Sequence, residues 1–195
     1  MLQIQSKNLV VIDLETSGVN PFRHDVLAIG LAPVSIRSAE RVIYVRSPQI
    51  CWSPYAKKNF EKFSADWEIE AIEPIAACEE LERYFLQIFD GEPAVAIGHN
   101  VGFDVAFLRK LAFLAAKDEI VGLSHRALDT HTILHLLFLK GAIPASAVKS
   151  DGAFEYFGID IPEKQRHTAL GDAIATRKLF FKLLEALGIS GSATI

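Results

Sequence analysis

The sequence has few of the features that mark secreted or membrane proteins. Its two cysteines, Cys51 and Cys78, show neither CxxC spacing nor a disulfide framework, so we expect free thiols in a reducing cytoplasm. It contains no run of about 18 uncharged apolar residues, which argues against a transmembrane helix. Residues 1–4 lack a basic stretch followed by an apolar segment, so we predict a cytoplasmic protein without a secretion signal.

An excess of positive charge is also missing. The chain carries 20 Lys and Arg residues against 24 Asp and Glu residues, which gives a formal net charge of −4. Much of the affinity for nucleic acid comes from basic side chains, so this balance argues against such a partner. The argument is weak if some of the acids bind metal, because two divalent cations would bring the total to about zero. A protein that grips only a strand end also needs no more than a local basic rim.

Hydrophobic residues, by contrast, are plentiful. They make up 50% of the chain and include 13 Phe residues, so a sizeable core is possible. A length of 195 residues suits one domain and is short for two. The sequence shows no internal repeat, low-complexity tract or linker. We therefore expect a single domain over residues 1–188 and a short flexible tail over 189–195.

The hydrophobic pattern predicts the order of the secondary structure elements. Strands are predicted over 8–15, 26–34, 41–45, 94–98 and, as a short fifth strand, 127–128. Helices are predicted over 68–89, with Pro74 near the start, and over 101–116, 130–139, 146–157 and 169–187. Gly158 and Gly188 are expected to end the last two helices. Three successive strands followed by alternating strands and helices predict an α/β fold with a mixed five-stranded sheet flanked by helices.

Two acidic residues lie on one face of the first predicted strand. Side chains alternate between the faces of a strand, so Val11, Asp13 and Glu15 share a face. Burying two like charges is costly, so the ordinary interpretation is that the strand has ended and both acids are solvated. A DxE pattern by itself therefore does not indicate a site.

Two predicted helices begin with an acid at the head of an apolar stripe. These acids are Asp104 and Asp172, and the stripes are Leu108, Leu111 and Ala115, and Ala175, Leu179, Leu183 and Ala186. The dipole at a helix N-terminus favours an acid, which accounts for either residue alone. Four inward-placed carboxylates on three elements need a shared positive partner, and hard divalent cations prefer oxygen ligands. The pattern therefore predicts a metal site formed by Asp13, Glu15, Asp104 and Asp172.

Three segments carry these four acids together with one histidine. They are 10–18 (VVIDLETSG), 98–108 (GHNVGFDVAFL) and 166–173 (RHTALGDA), the last with His167 five residues before Asp172. In this order they resemble the motifs of the DEDDh 3′→5′ exonucleases, also called the DnaQ-like group. Asp129–Thr130 resembles a recurrent Asp-Thr pair of the same family. The group includes DNA polymerase III epsilon-like proofreading subunits, exonucleases of single-stranded DNA and RNA-trimming ribonucleases, and the resemblance covers nearly the whole chain.

The resemblance implies a ribonuclease-H-like fold and a mechanism with two divalent cations, Mg²⁺ or Mn²⁺. Asp13, Glu15 and Asp172 would hold one cation, and Asp13 and Asp104 the second, with Asp104 acting through water. Two such cations would stabilise the attacking and the leaving oxygen of an in-line displacement. His167 would be the general base, because an imidazole with an ordinary pKa of about 6.5 accepts a proton readily at neutral pH.

The resemblance also implies a substrate. The chain would hydrolyse phosphodiester bonds at the 3′ end of single-stranded nucleic acid, with DNA favoured, and release nucleoside 5′-monophosphates. Thr16 would offer its backbone N–H to the terminal sugar, and Asn100 and Phe103 would contact the terminal nucleotide. An RNA-trimming exoribonuclease with the same site is the alternative, because no motif reveals a contact to a 2′-OH.

Two readings from other classes fit the residues less well. An aspartate-nucleophile phosphatase requires a DxD pattern, which the segment 13–15 (DLE) does not provide. A strand-end-binding domain without catalysis is a remote alternative. It would be attractive if one of the acids or the histidine were missing, and none of them is.

Several residues near the motifs have structural interpretations that remain open. Phe103 either stacks on a nucleotide or packs in the core with Phe107 and Leu114, which share its helix face. Asp129 is expected to cap the helix that follows it. The segment 47–67 departs from the family pattern. Its aromatic and basic residues either contact nucleic acid or cover the sheet edge, and those considered are Trp52, Tyr55, Lys57 and Lys58.

Three further histidines, His99, His131 and His135, are expected to have no catalytic role. His131 and His135 stand one helical turn apart, as zinc ligands often do. They lack the Glu of HExxH and a third ligand nearby, so packed or solvated side chains are expected. His99 ends a strand and fits the base role less well than His167. As for protein partners, a homodimer and association with a polymerase are both possible, although no tethering segment is visible after residue 187.

Overall fold

The computed structural model describes residues 8–47 and 49–189, and it contains a five-stranded mixed sheet with helices on both faces. The strands are β1 (Leu9–Thr16), β2 (Val26–Pro33), β3 (Arg41–Tyr44), β4 (Ala94–Gly98) and β5 (Leu123–Asp129). Their order is β3-β2-β1-β4-β5. The first three strands pair antiparallel, whereas β4 pairs parallel with both β1 and β5. The predicted mixed sheet is confirmed.

The described residues form seven α-helices. They are α1 (Pro54–Phe60), α2 (Ser64–Glu70), α3 (Pro74–Ile88), α4 (Gly102–Leu114), α5 (Thr130–Leu139), α6 (Ser150–Tyr156) and α7 (Ala169–Ala186). None of these helices is long and apolar enough to span a bilayer. Gly158 and Gly188 follow α6 and α7 with φ of +65° and +73°, as expected of glycines that end helices. The predicted tail lies outside the described residues from position 190 onward.

Three predicted boundaries are wrong, each for a local reason. The helix predicted over 68–89 is interrupted, because the residue before Pro74 avoids the helical region: Glu73 is extended, with ψ of 153°. The helix predicted over 146–157 is a 3₁₀ turn (Ala145–Val148) followed by α6, with an extended Lys149 between them. β5 is longer than predicted, because this edge strand exposes most of its residues and lacks an apolar alternation.

The central strand β1 is buried on both faces. Val10, Ile12 and Leu14 belong to the main core, which also contains residues of α3 and α4. Val11 faces the opposite way and packs with residues of α7 such as Phe180. The alternation predicted for this strand is therefore confirmed. It sends the odd-numbered side chains, including those of Asp13 and Glu15, toward the α7 side of the sheet.

A close approach between β2 and α7 sets the position of that helix. Gly30 lies opposite Asp13 in the β1–β2 ladder. A Cβ atom on Gly30 would lie 2.1 Å from the backbone oxygen of Ala169, the first residue of α7. Only glycine leaves room for this contact. The first turn of α7, which carries Asp172, is thereby held against the sheet beside Asp13.

The middle of α7 is fixed to the β2–β3 connection by a buried arginine. Arg177 Nη1 donates a hydrogen bond to the carbonyl oxygen of Pro33 at 2.9 Å. Its Nη2 pairs with Glu40. Arg177 has little contact with solvent, and a buried charge is tolerated when it is paired and hydrogen-bonded in this way. The anchor fixes α7 along the sheet as well as across it.

Candidate active site

The predicted acids converge where the carboxyl-terminal half of β1 meets the first turn of α7. Asp13, Glu15 and Asp172 each offer a carboxylate oxygen, and these oxygens all lie within 4.8 Å of one another. Among the described residues this is the only such group of potential metal ligands. Asp13 and Glu15 are half-buried, and Asp172 is only 8% exposed. The strand register and the docking of α7 together produce this geometry.

The fourth predicted acid, Asp104, approaches β1 from the first turn of α4. It is 6% exposed, and its Oδ1 accepts a hydrogen bond from the backbone N–H of Leu14 at 3.1 Å. Its carboxylate stands outside the group of three. The structure therefore brings three acids together directly and places Asp104 beside the same strand.

Burial raises the pKa of all four carboxyl groups, and repulsion by neighbouring acids adds to the shift for Asp13, Glu15 and Asp104. The pKa of Asp13 is raised well above its usual value, mainly by burial and then by Asp104, Asp172 and Glu15. Burial, followed by the charge of Asp172, raises the pKa of Glu15 to about 7. Burial also raises the pKa of Asp104 to about 8, against the effect of its backbone hydrogen bonds. The pKa of Asp172 is raised by burial, although Arg166 opposes the shift. Such a cluster favours either protons or a cation.

The donor set fits a hard divalent cation. Asp172 Oδ1 is buried and has no hydrogen-bond partner. Arg166 Nη1 lies 2.6 Å from this oxygen, at ion-pair distance, but the two groups do not meet at hydrogen-bonding angles. This buried carboxylate oxygen lacks a hydrogen-bond donor and lies beside two further acids. A bound Mg²⁺ or Mn²⁺ would supply the missing partner.

His167 lies at the edge of this group in a backbone conformation that is rare for non-glycine residues. Its φ is +59°, and its N–H donates to Asp172 Oδ2 at 3.2 Å. The neighbouring Thr168 caps α7, because its Oγ1 accepts a hydrogen bond from the N–H of Gly171 at 3.3 Å. Burial, and then the nearby Arg166, lowers the pKa of the half-buried His167 imidazole. The lowered pKa favours the neutral ring, which is able to accept a proton.

A cavity of about 350 Å³ opens over the acids. Its walls include part of the β1–β2 loop, α1, the start of α4 and α6, and the lining residues used below are Thr16, Tyr55, His99, Phe103, Phe154 and Arg166. A larger cavity of about 720 Å³ lies between α4 and β5 and contains none of the predicted site residues. The smaller cavity is the relevant one, because the clustered acids with raised pKa values line it.

The predicted substrate-binding residues differ in where they lie. Thr16 lines the cavity at the end of β1, where the ladder with β2 shifts register, and its Oγ1 donates to the carbonyl of Gly18 at 2.8 Å. Asn100 is exposed and does not line the cavity. Its φ is +65°, and its N–H donates to Asp129 Oδ1 at 2.7 Å. The backbone of Asn100 thus connects β4 to the start of α5.

Phe103 lies between the cavity and the core. It lines the cavity, and its ring centroid also lies 4.8 Å from that of the fully buried Phe107. Leu114 does not belong to this core face, because it is 51% exposed. The alternative in which Phe103 packs in the core is therefore confirmed for Phe107 and wrong for Leu114. Leu114 is the last residue of α4.

The segment 47–67, which departs from the family pattern, contains the helix α1. No helix was predicted there from the sequence. Ser53 caps this helix, because its Oγ accepts a hydrogen bond from the N–H of Ala56, and proline occupies the first helical position. This Ser-Pro signal was available in the sequence. The exposed Tyr55 lines the cavity, and its ring meets the His167 ring edge-on with centroids 6.3 Å apart.

The other residues of this segment mainly cover the sheet. Trp52 packs against Phe60, with ring centroids 4.9 Å apart, in a cluster that lies over β2 and β3. Lys57 and Lys58 are exposed and do not line the cavity. Lys62 Nζ, however, donates to the backbone oxygen of Arg166 at 2.8 Å. The segment therefore both covers the sheet edge and supports one wall of the site.

A row of three histidines runs from the cavity to the surface. His99 lines the cavity, and its ring centroid lies 5.1 Å from that of His131, which lies 4.4 Å from that of His135. His99 is thus a third histidine close to His131, which the sequence did not suggest. Their nitrogens do not form a metal-binding group, and the Nδ1 of His135 faces the carbonyl of His131 at 3.1 Å. Burial, and then His131, lowers the pKa of His99 to about 4.

Asp129 caps α5, as expected. Its Oδ1 accepts a hydrogen bond from the N–H of His131 at 3.2 Å, and its Oδ2 accepts one from Thr132 Oγ1 at 2.8 Å. These bonds keep the pKa of Asp129 below its usual value, although burial acts in the opposite direction. Its oxygens serve the backbone around α5, so Asp129 is not a member of the carboxylate group.

Comparison with known proteins gives matches over nearly the whole chain, although no family model matches it. The chain is 33% identical over 186 residues to a DNA polymerase III subunit epsilon-like protein of Rhodobacter capsulatus; the match covers 95% of this chain and 25% of that protein. It is 25% identical over 182 residues to a ribonuclease T of Shewanella frigidimarina, covering 88% of this chain and 79% of the relative. The chain therefore spans about a quarter of the length of the first of these relatives.

Solved structures share the fold. Exonuclease I of E. coli, in complex with a dT13 oligonucleotide, superposes with a TM-score of 0.72 at 16% identity, over 91% of this chain and 40% of that one. The nuclease domain of 3′hExo, a DEDDh family member bound to rAMP, superposes with a TM-score of 0.72 at 12% identity, over 94% of both chains. These matches confirm the ribonuclease-H-like fold. The shared fold and the relatives in sequence agree with the order of the three motifs, and the chain belongs to the DnaQ-like (DEDDh) family of 3′→5′ exonucleases.

Proposed function

We propose that this chain is a metal-dependent 3′→5′ exonuclease that removes nucleoside 5′-monophosphates from single-stranded nucleic acid, with DNA favoured. The observation that carries the proposal is the group of three carboxylates within 4.8 Å, beside a histidine and under a cavity of about 350 Å³. That volume is near the lower limit for ligand pockets. It suits a single terminal nucleotide better than a paired one.

The proposed metal ligands are the four predicted acids. Asp13, Glu15 and Asp172 would hold one divalent cation, and Asp13 and Asp104 would hold a second, Asp104 through water. When bound, the cations would make water a better nucleophile and neutralise charge on the phosphate and the leaving oxygen. The acids supply hard oxygen ligands. Burial and the neighbouring acids raise their pKa values, and a bound cation would offset both effects.

His167 is proposed to accept the proton from the attacking water on a ring nitrogen. The water oxygen forms a bond to the phosphorus, and the bond from phosphorus to the 3′ oxygen of the preceding nucleotide breaks. That oxygen takes up a proton from solvent, and His167 later releases its own proton to solvent. The products are a nucleoside 5′-monophosphate and a strand shortened by one nucleotide. The hydrogen bond from the His167 N–H to Asp172 keeps the imidazole beside the carboxylates. A neutral ring, favoured by the lowered pKa, is the form this role requires.

The walls of the cavity are suited to a nucleotide. Phe103 and Tyr55 present aromatic surface to it, and bases stack on such side chains whatever their sequence. Thr16 lies at the end of β1, where its backbone N–H is proposed to meet the terminal sugar. Asn100 does not line the cavity, so it would contact the nucleotide only if the substrate reached beyond the cavity. Tyr55 does line the cavity, and we propose it as an additional contact residue.

The function is tested with 5′-labelled DNA and RNA oligonucleotides of one sequence, each incubated with and without Mg²⁺ or Mn²⁺. We expect a ladder of products shortened from the 3′ end, only with metal, and mononucleotides that carry 5′-phosphates. Asp13→Asn is the inactive control. A blunt GC-rich duplex should be degraded more slowly than its isolated strand, because its terminal pair must first open. Cleavage inside a circular single strand would contradict the exonuclease assignment.

RNA is the second candidate substrate. It is favoured by the ribonuclease T relatives, of which this chain spans about four fifths. The same experiment discriminates, since an RNA-trimming enzyme should degrade the RNA strand faster than the DNA strand under matched conditions. Binding of both strands without cleavage in any metal would instead favour the strand-end-binding alternative. A homodimer, association with a polymerase and a cytoplasmic location stay predictions.

A further inference from the structure

One cation of the protein itself already lies against the carboxylate group. The Arg166 guanidinium is 21% exposed, with Nη1 2.6 Å from Asp172 Oδ1 and Nη2 in an ion pair with Asp151. Its Cζ lies 5.4 Å from the centroid of the Phe154 ring. The backbone carbonyl of Arg166 accepts a hydrogen bond from Lys62. Arg166 is therefore fixed at both its backbone and its side chain.

The position of this guanidinium conflicts with the proposed metal ligand role of Asp172. The oxygen that Arg166 approaches, Oδ1, is the buried oxygen that lacks a hydrogen-bond partner. The other oxygen, Oδ2, already accepts the N–H of His167. A divalent cation bound by Asp172 would repel the guanidinium that lies 2.6 Å from Oδ1. The cation and Arg166 would therefore compete for this carboxylate.

Asp151 offers the guanidinium a second partner outside the carboxylate group. Its side chain is 82% exposed and lies in the first turn of α6. The guanidinium fork bridges the two acids through different nitrogens. A small rotation of the fork would give up Asp172 and keep Asp151, with the Phe154 ring still against it.

We propose that Arg166 is an internal counter-cation, which holds Asp172 when no metal is bound and stays with Asp151 when a divalent cation takes the Asp172 carboxylate. This inference rests on the proposed function, because it takes Asp172 to be a metal ligand. Arg166 is a positioning residue in this scheme and sets the affinity for metal by competing with it. The metal-free protein is stabilised by the same contact.

Calorimetric titration with Mn²⁺, without nucleic acid, tests the competition. Arg166→Gln removes the competitor and should tighten Mn²⁺ binding by about 5- to 150-fold, the usual range for coupled sites. Asp151→Asn removes the alternative partner and should weaken binding by about two- to fivefold, since Asp151 is exposed. Arg83→Gln and Asp118→Asn make the same charge changes on exposed residues that do not line the cavity, and neither should change the affinity.

The double variant separates a direct competition from a general charge effect. If Asp151 acts through Arg166, Asp151→Asn should have no effect on Mn²⁺ affinity once Arg166 is glutamine. If Asp151 acts through space, its effect should persist unchanged in the double variant, and the inference is then wrong. Thermal melting in EDTA gives a second measurement: Arg166→Gln should melt at least about 2 °C below wild type, because Asp172 loses its counter-charge.

The outcomes also separate this inference from the proposed function. If wild-type protein does not bind Mn²⁺, the metal site itself is wrong. If wild type binds Mn²⁺ and Arg166→Gln binds it with the same affinity, the metal site stands and the competition is wrong. Tighter binding by Arg166→Gln, weaker binding by Asp151→Asn and no additivity between them would support the inference.

Discussion

At the scale of single residues, the site consists of buried acidic side chains whose charged forms need a positive charge nearby. Asp104 and Asp172 are almost fully buried, and neither has an arginine or lysine that neutralises it completely. Asp104 is supported by one backbone N–H, and Asp172 by one N–H and an imperfectly aligned Arg166. Both acids therefore lack a positive charge that a bound cation would supply. We expect each acid to be needed for activity more than for folding.

The first prediction concerns the four acids. Asp13→Asn, Glu15→Gln, Asp104→Asn and Asp172→Asn should each remove nearly all nuclease activity while the protein stays folded, because the acids would share the same cations. Their effects should not add in double variants. Single-turnover degradation of a labelled strand measures this, with Asp118→Asn as a surface control. A variant that keeps more than about a tenth of wild-type turnover, a loss of under ~1.4 kcal/mol, would not be a ligand.

The second prediction concerns His167. His167→Ala should lower turnover by about 10²- to 10⁴-fold, the usual contribution of a general base. Mn²⁺ affinity and oligonucleotide binding should be nearly unchanged, because the hydrogen bond to Asp172 comes from the backbone N–H of His167, which alanine retains. Titration with Mn²⁺ and a binding assay check this. An equal loss of metal affinity would make His167 a ligand or a structural residue instead.

At the scale of secondary structure elements, the site forms because α7 docks closely on β2. Gly30 provides the space for this docking, and the Arg177 anchor fixes the helix along the sheet. The carboxylate of Asp172 is carried by the first turn of that helix, whereas Asp13 belongs to the strand beside it. The distance between these acids is thus a property of how two elements pack.

The third prediction tests this docking. Gly30→Ala would place a Cβ atom 2.1 Å from the backbone oxygen of Ala169, so α7 must shift. We expect a loss of about 1–3 kcal/mol in unfolding free energy, as for overpacked cores, together with weaker Mn²⁺ binding. Denaturant unfolding and metal titration measure both. Gly102→Ala, whose added Cβ would meet nothing within 4 Å, is the control and should not destabilise the protein. Unchanged metal affinity in Gly30→Ala would show that α7 docking does not set the site.

At the scale of the whole molecule, the carboxylate cluster should make stability depend on both pH and metal. The folded-state pKa values of Glu15 and Asp104 are raised, to about 7 and about 8. The folded protein therefore binds more protons than the unfolded chain between the ordinary carboxyl pKa of about 4 and these values. Stability from these groups is fully present at low pH and is lost as pH rises through about 7–8.

The fourth prediction follows from this linkage. Without metal, melting should move to lower temperature between about pH 5 and pH 8, whereas Mn²⁺ should reverse the loss because it binds the ionised acids. At about 100 times its dissociation constant, metal bound only by the folded state adds ~2.7 kcal/mol. That corresponds to a rise of roughly 5–10 °C for a chain of this size. The rise should grow with pH.

Scanning calorimetry in EDTA or Mn²⁺ over this pH range measures the effect. Asp13→Asn is the informative variant, because it should stabilise the metal-free protein slightly and blunt the rise with Mn²⁺. Equal melting of wild type and Asp13→Asn, with no response to Mn²⁺ in either, would exclude a buried metal site.

Local patterns in the sequence were enough for four of the five strands, for the mixed sheet and for the choice of candidate acids, but not for the length of β5. The alternation in β1 placed Asp13 and Glu15 on one face, and helical spacing placed Asp104 and Asp172 at the heads of buried stripes. The α7 stripe ends earlier than predicted, because Ala186, the last residue of the helix, is exposed. These inferences held because side-chain direction follows from backbone period over a few residues. The same reasoning failed at the junction before Pro74, where a bridge between Val45 and Ile72 competes with the helix.

Contacts between residues far apart in the chain could not be inferred in this way. The sequence did not show that α1 brings Tyr55 to His167, nor that Asp104 stands apart from the other three acids. It also did not reveal that Arg166 lies against Asp172 while Lys62 holds its backbone. Each of these arrangements depends on how helices from distant segments pack on one sheet. Sequence periodicity determines which face of an element is buried, but the distance and angle between two elements follow from the packing of all their side chains together.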